Sequence, residues 1–88
     1  MIRLQVVMIK SSDREALKKF GENLRKLRDN QNLSLRDLSI NCNIDNSKIS
    51  KIEQGQVNIT ITTLLDLARG LKVHPAELFN FDLPGVIN

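Results

Sequence analysis

The chain has 88 residues, with 13 Lys and Arg against 10 Asp and Glu, and a formal net charge of +3. This length suits one small domain. A single Cys cannot form an internal disulfide, and with a single His it leaves no usual set of zinc ligands. We therefore expect a protein of the reducing cytoplasm with no metal and no other cofactor. The positive charge favours a polyanionic partner only where basic side chains cluster.

The first ten residues, MIRLQVVMIK, are apolar but too short to cross a bilayer, and no signal-peptide cleavage site follows them. We therefore expect neither secretion nor a membrane partner. Apolar side chains at Ile2, Leu4, Val6 and Met8 alternate along the segment, which indicates a short strand. The alternative, that Met8 is the natural start and the residues before it are a disordered lead, fits the sequence equally well. Because a lone strand is unstable in water, an ordered one would pair with a second copy or lie on the domain.

A long helix is predicted from Asp13, with Ser12 or Asp13 as its cap and a left-handed turn at Asn32 as its end. Its apolar side chains recur at spacings of three and four residues. They are Leu17, Phe20, Leu24 and Leu27. This stripe would cover the core of the domain.

Two short helices joined by a three-residue turn are predicted between Ser34 and Gly55. Ser34 caps the first helix, at about residues 35–42, and Asp45 caps the second, at about residues 46–54. Asn43 in the turn tolerates a left-handed conformation, and Gly55 ends the second helix. Apolar residues at helical spacing place both helices on one core. They are Leu35, Leu38, Cys42, Ile49 and Ile52. We interpret the cysteine as core packing rather than as a redox sensor.

Thr60 is predicted to cap a fourth helix that runs through Leu71, and Pro75 to open a fifth short helix that ends near Phe79. His74, just before that proline, is interpreted as a surface residue and not as a ligand. The fourth helix would bury one apolar side, composed of Ile61, Leu64, Leu65, Ala68 and Leu71. The predicted fold is all-α. It divides into an N-terminal extension (1–12), a helical domain (13–80) and an apolar C-terminal tail (81–88).

From Phe20 to Phe79 the chain resembles the helix-turn-helix domain of the lambda and Cro type phage repressors and of the XRE family of bacterial regulators. The resemblance rests on five segments in the same order. They are Leu24-x-x-Leu27-Arg28, Leu33-Ser34-Leu35, Ile49-Ser50-x-Ile52-Glu53-x-Gly55, Leu64-Leu65-x-Leu67-Ala68 and Pro75-x-Glu77-Leu78-Phe79. It implies a five-helix domain whose second motif helix enters the major groove of double-stranded DNA.

The resemblance also implies which side chains meet DNA. Because Ile49 and Ile52 face the core, the polar residues of the second motif helix point outward. The base-reading residues would be Asn46, Ser47 and Lys51. Contacts to the DNA backbone, or secondary contacts, would come from Ser34, Leu35, Arg36, Lys48, Ser50, Gln56, Asn58 and Thr60. Arg28 and Glu53 correspond to a salt bridge that orients the recognition helix.

Two departures from the family pattern bear on affinity. Leu35 stands where the family often has Gln, so only its backbone amide can contact DNA. Gln56, Asn58 and Thr60 replace the basic residues that are common in the loop after the recognition helix. Neutral hydrogen bonds would take the place of charge there, so we expect weaker binding at high salt.

Apolar residues near the C-terminal end exceed what the domain needs for its own core. Leu78, Phe79, Phe81 and Leu83 would form a homodimer interface, the end through which family members typically dimerise. The alternative is a tail folded back on the first and last helices. In a dimer, two recognition helices about 34 Å apart would match successive major-groove faces of a palindromic site.

The leading hypothesis is a sequence-specific transcriptional regulator that binds a palindromic operator as a homodimer. A second hypothesis is an antitoxin that binds a small protein toxin and autoregulates its operon. A third is a protein-binding module that kept the fold but no longer binds DNA, for which Asp37, Asp45 and the neutral loop are the evidence. An enzyme is not expected, because the sequence contains no catalytic triad arrangement, phosphate-binding glycine loop or paired catalytic carboxylates.

Overall fold

A computed structural model describes residues 11–83, which contain four α-helices and one 3₁₀ helix and no strand. The helices are α1 (Ser11–Asn30), α2 (Leu35–Cys42), α3 (Asn46–Glu53), α4 (Ile61–Leu71) and the 3₁₀ helix (Pro75–Phe79). The all-α prediction is confirmed, but the fifth helix is a 3₁₀ helix and not an α-helix. The expected N-terminal strand and residues 84–88 of the tail lie outside the described residues.

The ends of α1 differ slightly from the prediction. The helix already includes Ser11, ahead of the predicted caps Ser12 and Asp13, and such boundaries shift easily by a residue or two. Its C-terminal end is as predicted, because Asn32 has a φ of 57° and turns the chain toward α2. No helix within residues 11–83 combines the length and hydropathy needed to cross a membrane.

Side-chain amides on α1 hold the C-terminal part of the domain in place. The Asn23 amide donates to the carbonyl oxygens of Glu77 (2.8 Å) and Leu78 (3.1 Å) in the 3₁₀ helix. The Gln31 amide donates to the carbonyl oxygen of Leu71 at the end of α4, at 2.7 Å. These bonds give side-chain partners to carbonyl groups at helix ends, where intrahelical hydrogen bonds become fewer.

One apolar core joins all five helices. It consists of Phe20, Leu24, Leu38, Cys42, Ile44, Ile49, Ile52, Leu67, Ala68, Leu71 and Leu78. Cys42 is buried as predicted, and desolvation raises the pKa of its thiol. The predicted burial of Ile61 is wrong: its side chain is 76% exposed, whereas Leu67 is fully buried. Ile61 starts α4 at the edge of the buried stripe, where the facing helices no longer cover it.

His74 has a structural role that the sequence analysis missed. Its Nδ1 atom accepts a hydrogen bond from the backbone N–H of Ala76 at 3.0 Å and so caps the 3₁₀ helix. The predicted position of Pro75, at the first turn, is confirmed. The imidazole therefore replaces the hydroxyl or carboxylate that usually caps a helix.

Candidate nucleic-acid interface

Local hydrogen bonds fix the start of α2 and the turn that follows it. The Ser34 hydroxyl accepts from the backbone N–H of Asp37 at 2.9 Å, and the Asp37 carboxylate accepts from the backbone N–H of Ser34 at 3.0 Å. This reciprocal pair is a capping box. After α2, Asn43 has a φ of 60°, and its N–H donates to the carbonyl oxygen of Ser39 at 2.8 Å. The predicted cap and left-handed turn are both confirmed.

The start of α3 is fixed by Asp45. Its carboxylate accepts from the backbone N–H of Ser47 at 3.1 Å and also from the Ser47 hydroxyl. The hydroxyl bond and the backbone bond favour the charged carboxylate and lower the pKa of Asp45. The pKa of Asp37 is lowered in the same way by its bonds to Ser34. Each motif helix thus has an ionised carboxylate at its N-terminal end, where the helix dipole favours negative charge.

A buried ion pair ties α3 to α1. Arg28 Nε donates to Glu53 Oε2 at 2.7 Å, and Arg28 Nη2 donates to Glu53 Oε1 at 3.0 Å. The two side chains are only 10% and 7% exposed. In a third hydrogen bond, Arg28 Nη1 donates to the carbonyl oxygen of Leu33 at 2.8 Å. The same side chain therefore also holds the segment before α2. The hydrogen bonds to Glu53 raise the pKa of Arg28. This is the pair expected from the family resemblance.

Close backbone packing reinforces the ion pair. A Cβ atom on Gly21 of α1 would lie 2.4 Å from the carbonyl oxygens of both Ile52 and Glu53, so only glycine fits there. The two helices therefore cross in backbone contact, and the bidentate pair prevents rotation about that crossing. Together these contacts hold α3 in one orientation relative to the rest of the domain.

The outward face of α3 carries the predicted base-reading residues. Ile49 and Ile52 are 0% and 2% exposed and point into the core. On the other side Asn46, Ser47 and Lys51 are all exposed. Lys48 is exposed and Ser50 is half-buried on the flanks of the same helix. The helix therefore presents amide, hydroxyl and ammonium groups on a surface with no exposed apolar side chain.

Gln54 is a surface residue of this face that the sequence analysis missed. It follows Ser47 and Lys51 at helical spacing, and its exposed amide donates to the Ser50 hydroxyl at 2.9 Å. The Gln54 carbonyl accepts from the side chain of Gln56, also at 2.9 Å. These bonds link the end of α3 to the following loop. The spacing of 47, 51 and 54 was the available signal.

The N-terminal end of α2 carries an acidic side chain beside the predicted phosphate contacts. The Asp37 carboxylate accepts a hydrogen bond from the backbone N–H of Ser34, so a negative charge lies next to this helix end. The backbone N–H groups of Leu35 and Arg36 remain without intrahelical partners, as at any helix start. The Leu35 side chain packs partly buried against the core, while the Arg36 side chain is exposed.

The loop between α3 and α4 presents neutral polar side chains. Gln56, Asn58 and Thr60 are all exposed, and residues 56–60 include no basic side chain. The Thr60 hydroxyl caps α4 by accepting from the backbone N–H of Thr63 at 3.2 Å, as predicted. Asn58 borders a shallow depression against Ala16 and Leu17 of α1.

Comparison with known proteins identifies the family to which this helical domain belongs. A family model described as a helix-turn-helix domain matches residues 19–80. The chain belongs to the XRE family of helix-turn-helix DNA-binding domains. The helix-turn-helix family consists of DNA-binding regulators and not of enzymes, as the sequence analysis expected. In this chain α2 and α3 form the motif, and residues 11–18 of α1 precede the matched region.

Similar helix-turn-helix proteins include restriction-modification controllers. The crystal structure of the controller protein C.AhdI from Aeromonas hydrophila has 40% identity and a TM-score of 0.70, covering 72% of this chain and 96% of that one. The controller C.Esp1396I has 31% identity and a TM-score of 0.68, covering 73% of this chain and 83% of that one. The control protein C.BamHI from Bacillus amyloliquefaciens is 30% identical over 67 residues, which are 75% of this chain and 83% of its own.

The helix-turn-helix domain also has an apolar groove, near its C-terminal end. The groove encloses about 250 Å³ between α1, the α3–α4 loop, α4 and the residues after the 3₁₀ helix. Phe79 on its rim is 54% exposed and lies 5.5 Å from Phe20, centroid to centroid. Phe81 and Leu83 line it half-buried. Ile61 also lies on this surface, although the apolar spacing of α4 predicts it in the core.

Leu78 differs from the other residues predicted for a dimer interface. Its side chain is 0% exposed and belongs to the core. It is inaccessible to a second chain, because the Asn23 bonds hold the 3₁₀ helix with this side chain inward. The apolar surface open to a partner therefore contains Ile61, Phe79, Phe81 and Leu83.

Proposed function

We propose that this protein is a transcriptional regulator that binds a palindromic operator as a homodimer. Similarity to two restriction-modification controllers, C.AhdI and C.Esp1396I, and to the control protein C.BamHI supports a role in controlling the genes of a restriction-modification system. The regulator would act through operator occupancy. Residues 11–83 form one helical unit that is almost fully used by the helix-turn-helix fold.

The orientation and exposure of α3 are the observation that carries this proposal. Its inward face is fixed by Ile49, Ile52 and the buried Arg28–Glu53 pair, while Asn46 and Lys51 stand exposed on the other side. An asparagine amide can pair with adenine in the major groove, and a lysine can donate to guanine. A rigid helix that presents such groups lets base sequence determine binding energy.

The apolar groove and the short length of α3 support the proposal of a homodimer. One eight-residue helix can read only a few base pairs, so a single domain would bind weakly. Exposed Ile61 and Phe79 supply apolar area that a second copy would bury. Two linked half-site contacts raise affinity by about 10²- to 10⁴-fold over one.

Selection of binding sites from a random duplex pool tests the proposal. The purified protein should enrich a palindrome whose half-sites lie about one helical turn, 10 base pairs, apart. The enriched duplex should bind at least about 10³-fold more tightly than a scrambled duplex at physiological salt. Failure to enrich any sequence, with equal and strongly salt-dependent binding to all duplexes, would contradict operator recognition and would favour a protein partner.

A further inference from the structure

Helix α1 extends beyond the matched helix-turn-helix domain. The family match starts at residue 19, whereas α1 begins at Ser11. Residues 11–18 therefore add two turns, roughly 12 Å of helix, to the N-terminal end of the domain. The extension carries Arg14 and Lys18, which are both exposed. Neither the core nor the recognition helix accounts for these two cations.

The extension passes the C-terminal end of α3 in backbone contact. Gly55, which ends the recognition segment with a φ of 73°, lies against Lys18, and a Cβ atom at Gly55 would be 2.7 Å from the Lys18 Cα. One turn further along α1, Gly21 lies against the last carbonyl groups of α3. The Lys18 side chain therefore leaves α1 beside the loop that begins at Gly55.

Helical geometry places three cations on the edge of α1 that borders α3. Relative to Gly21, which faces α3, Arg14, Lys18 and Arg25 are turned by about 20°, 60° and 40° at 100° per residue. We name these three residues the basic edge of α1. All three are exposed. Lys19 and Lys26 are turned by about 160° and 140° and point away from α3.

The cations of the basic edge can reach an external anion. Arg25 has only a long ion pair, 3.8 Å to Asp29, in which both side chains are more than half exposed. Within residues 11–83, no ion pair joins Arg14 or Lys18 to an acid. Two exposed acids, Glu15 and Glu22, lie beside the basic edge, so its three cations exceed them by one charge.

We propose that the basic edge of α1 contacts DNA phosphates alongside the groove that α3 enters, an inference that rests on the proposed function. The neighbouring loop, with Gln56 and Asn58, has no charge to offer to the DNA backbone. Lys18 emerges beside that loop, and Arg14 lies one turn further out on the same edge. Phosphate contacts hold a protein in register on the duplex but do not read sequence. The edge thus supplies charge that the loop lacks.

The salt dependence of DNA affinity, measured on the selected operator and on a scrambled duplex, tests this inference. The test variant is Arg14→Gln with Lys18→Gln, and the control is Lys19→Gln with Lys26→Gln. Both variants remove two charges from α1, but the control removes them from the side that is turned away from α3, where Lys26 is exposed and Lys19 is half-buried. Circular dichroism and thermal unfolding should show that both variants fold like the unmodified chain.

The test variant should lower the slope of log affinity against log salt by about 0.9 for each phosphate that it no longer neutralises, or about 1.8 per protomer. It should weaken binding to operator and scrambled duplex by the same factor, about tenfold or more at low salt. The control should change the slope by less than half as much. Equal slopes for the two variants would overturn the inference and leave the proposed function intact. If the unmodified chain binds no DNA, the proposed function and this inference are both wrong.

Discussion

The outward face of α3 and the apolar groove are two exposed surfaces of this domain with opposite chemical character. On α3 the exposed groups are polar or cationic, and a buried ion pair and backbone packing fix the helix beneath them. At the groove the exposed apolar side chains are Ile61 and Phe79, which can neither donate nor accept a hydrogen bond. A surface that reads bases needs a fixed backbone and directional donors, whereas a surface that joins two copies needs apolar area to remove from water.

The largest effect is expected from making the groove polar. Ile61→Gln with Phe79→Gln should convert the proposed dimer into monomers and lower operator affinity by about 10²- to 10⁴-fold, because the two half-site contacts are no longer linked. Sedimentation and operator titration measure the two effects. Ile40→Gln is the matched control, because Ile40 is 72% exposed on α2, outside the groove, and its replacement should change neither. A groove variant that remains dimeric would contradict the assigned interface.

A smaller effect is expected from the support beneath α3. Glu53→Gln should lower the free energy of unfolding by about 3 kcal/mol, because the buried Arg28 charge would keep only the longer contact to the exposed Asp29 carboxylate, at 3.5 Å. Urea unfolding gives this value. Asp66→Asn is the control, since it removes the exposed pair with Arg69 and should cost about 1 kcal/mol or less. Equal decreases for the two variants would mean that the buried pair does not hold α3.

The smallest effect is expected from the two capping carboxylates. Their folded-state pKa values are lowered, so their stabilising contribution is present above the ordinary Asp value and is lost as pH falls through the lowered pKa. Unfolding free energy should therefore decrease as pH falls from about 5 to about 3. Asp37→Asn with Asp45→Asn should flatten that decrease, because asparagine still caps a helix but does not titrate in this range. An unchanged pH profile would argue against charged caps.

The sequence was sufficient for features that depend on neighbouring residues. Helical periodicity located the four α-helices, and the caps Ser34, Asp45 and Thr60 marked three of their starts. The left-handed residues Asn32 and Asn43 were likewise local, because few residue types adopt a positive φ at low cost. These signals need no knowledge of tertiary packing.

Features that depend on distant packing were harder to predict. The Arg28–Glu53 pair joins residues 25 apart and came only from the family resemblance. Ile61 fits the apolar spacing of α4, but its burial depends on which elements reach the first turn, and none covers it. Leu78 was predicted at a surface but is buried, because the 3₁₀ helix that the Asn23 bonds hold turns this side chain into the core.

Binding of the selected operator by an Asn46→Ala, Lys51→Ala variant tests the central claim, that the outward face of α3 reads bases. The operator affinity of this variant should fall at least about 30-fold, since each base contact that it removes is worth about 1 kcal/mol or more, and its affinity for scrambled DNA should fall much less. Lys26→Ala with Asn30→Ala removes the same side-chain types from α1 and should bind like the unmodified chain. Operator affinity that is equal for both variants would contradict base reading by α3.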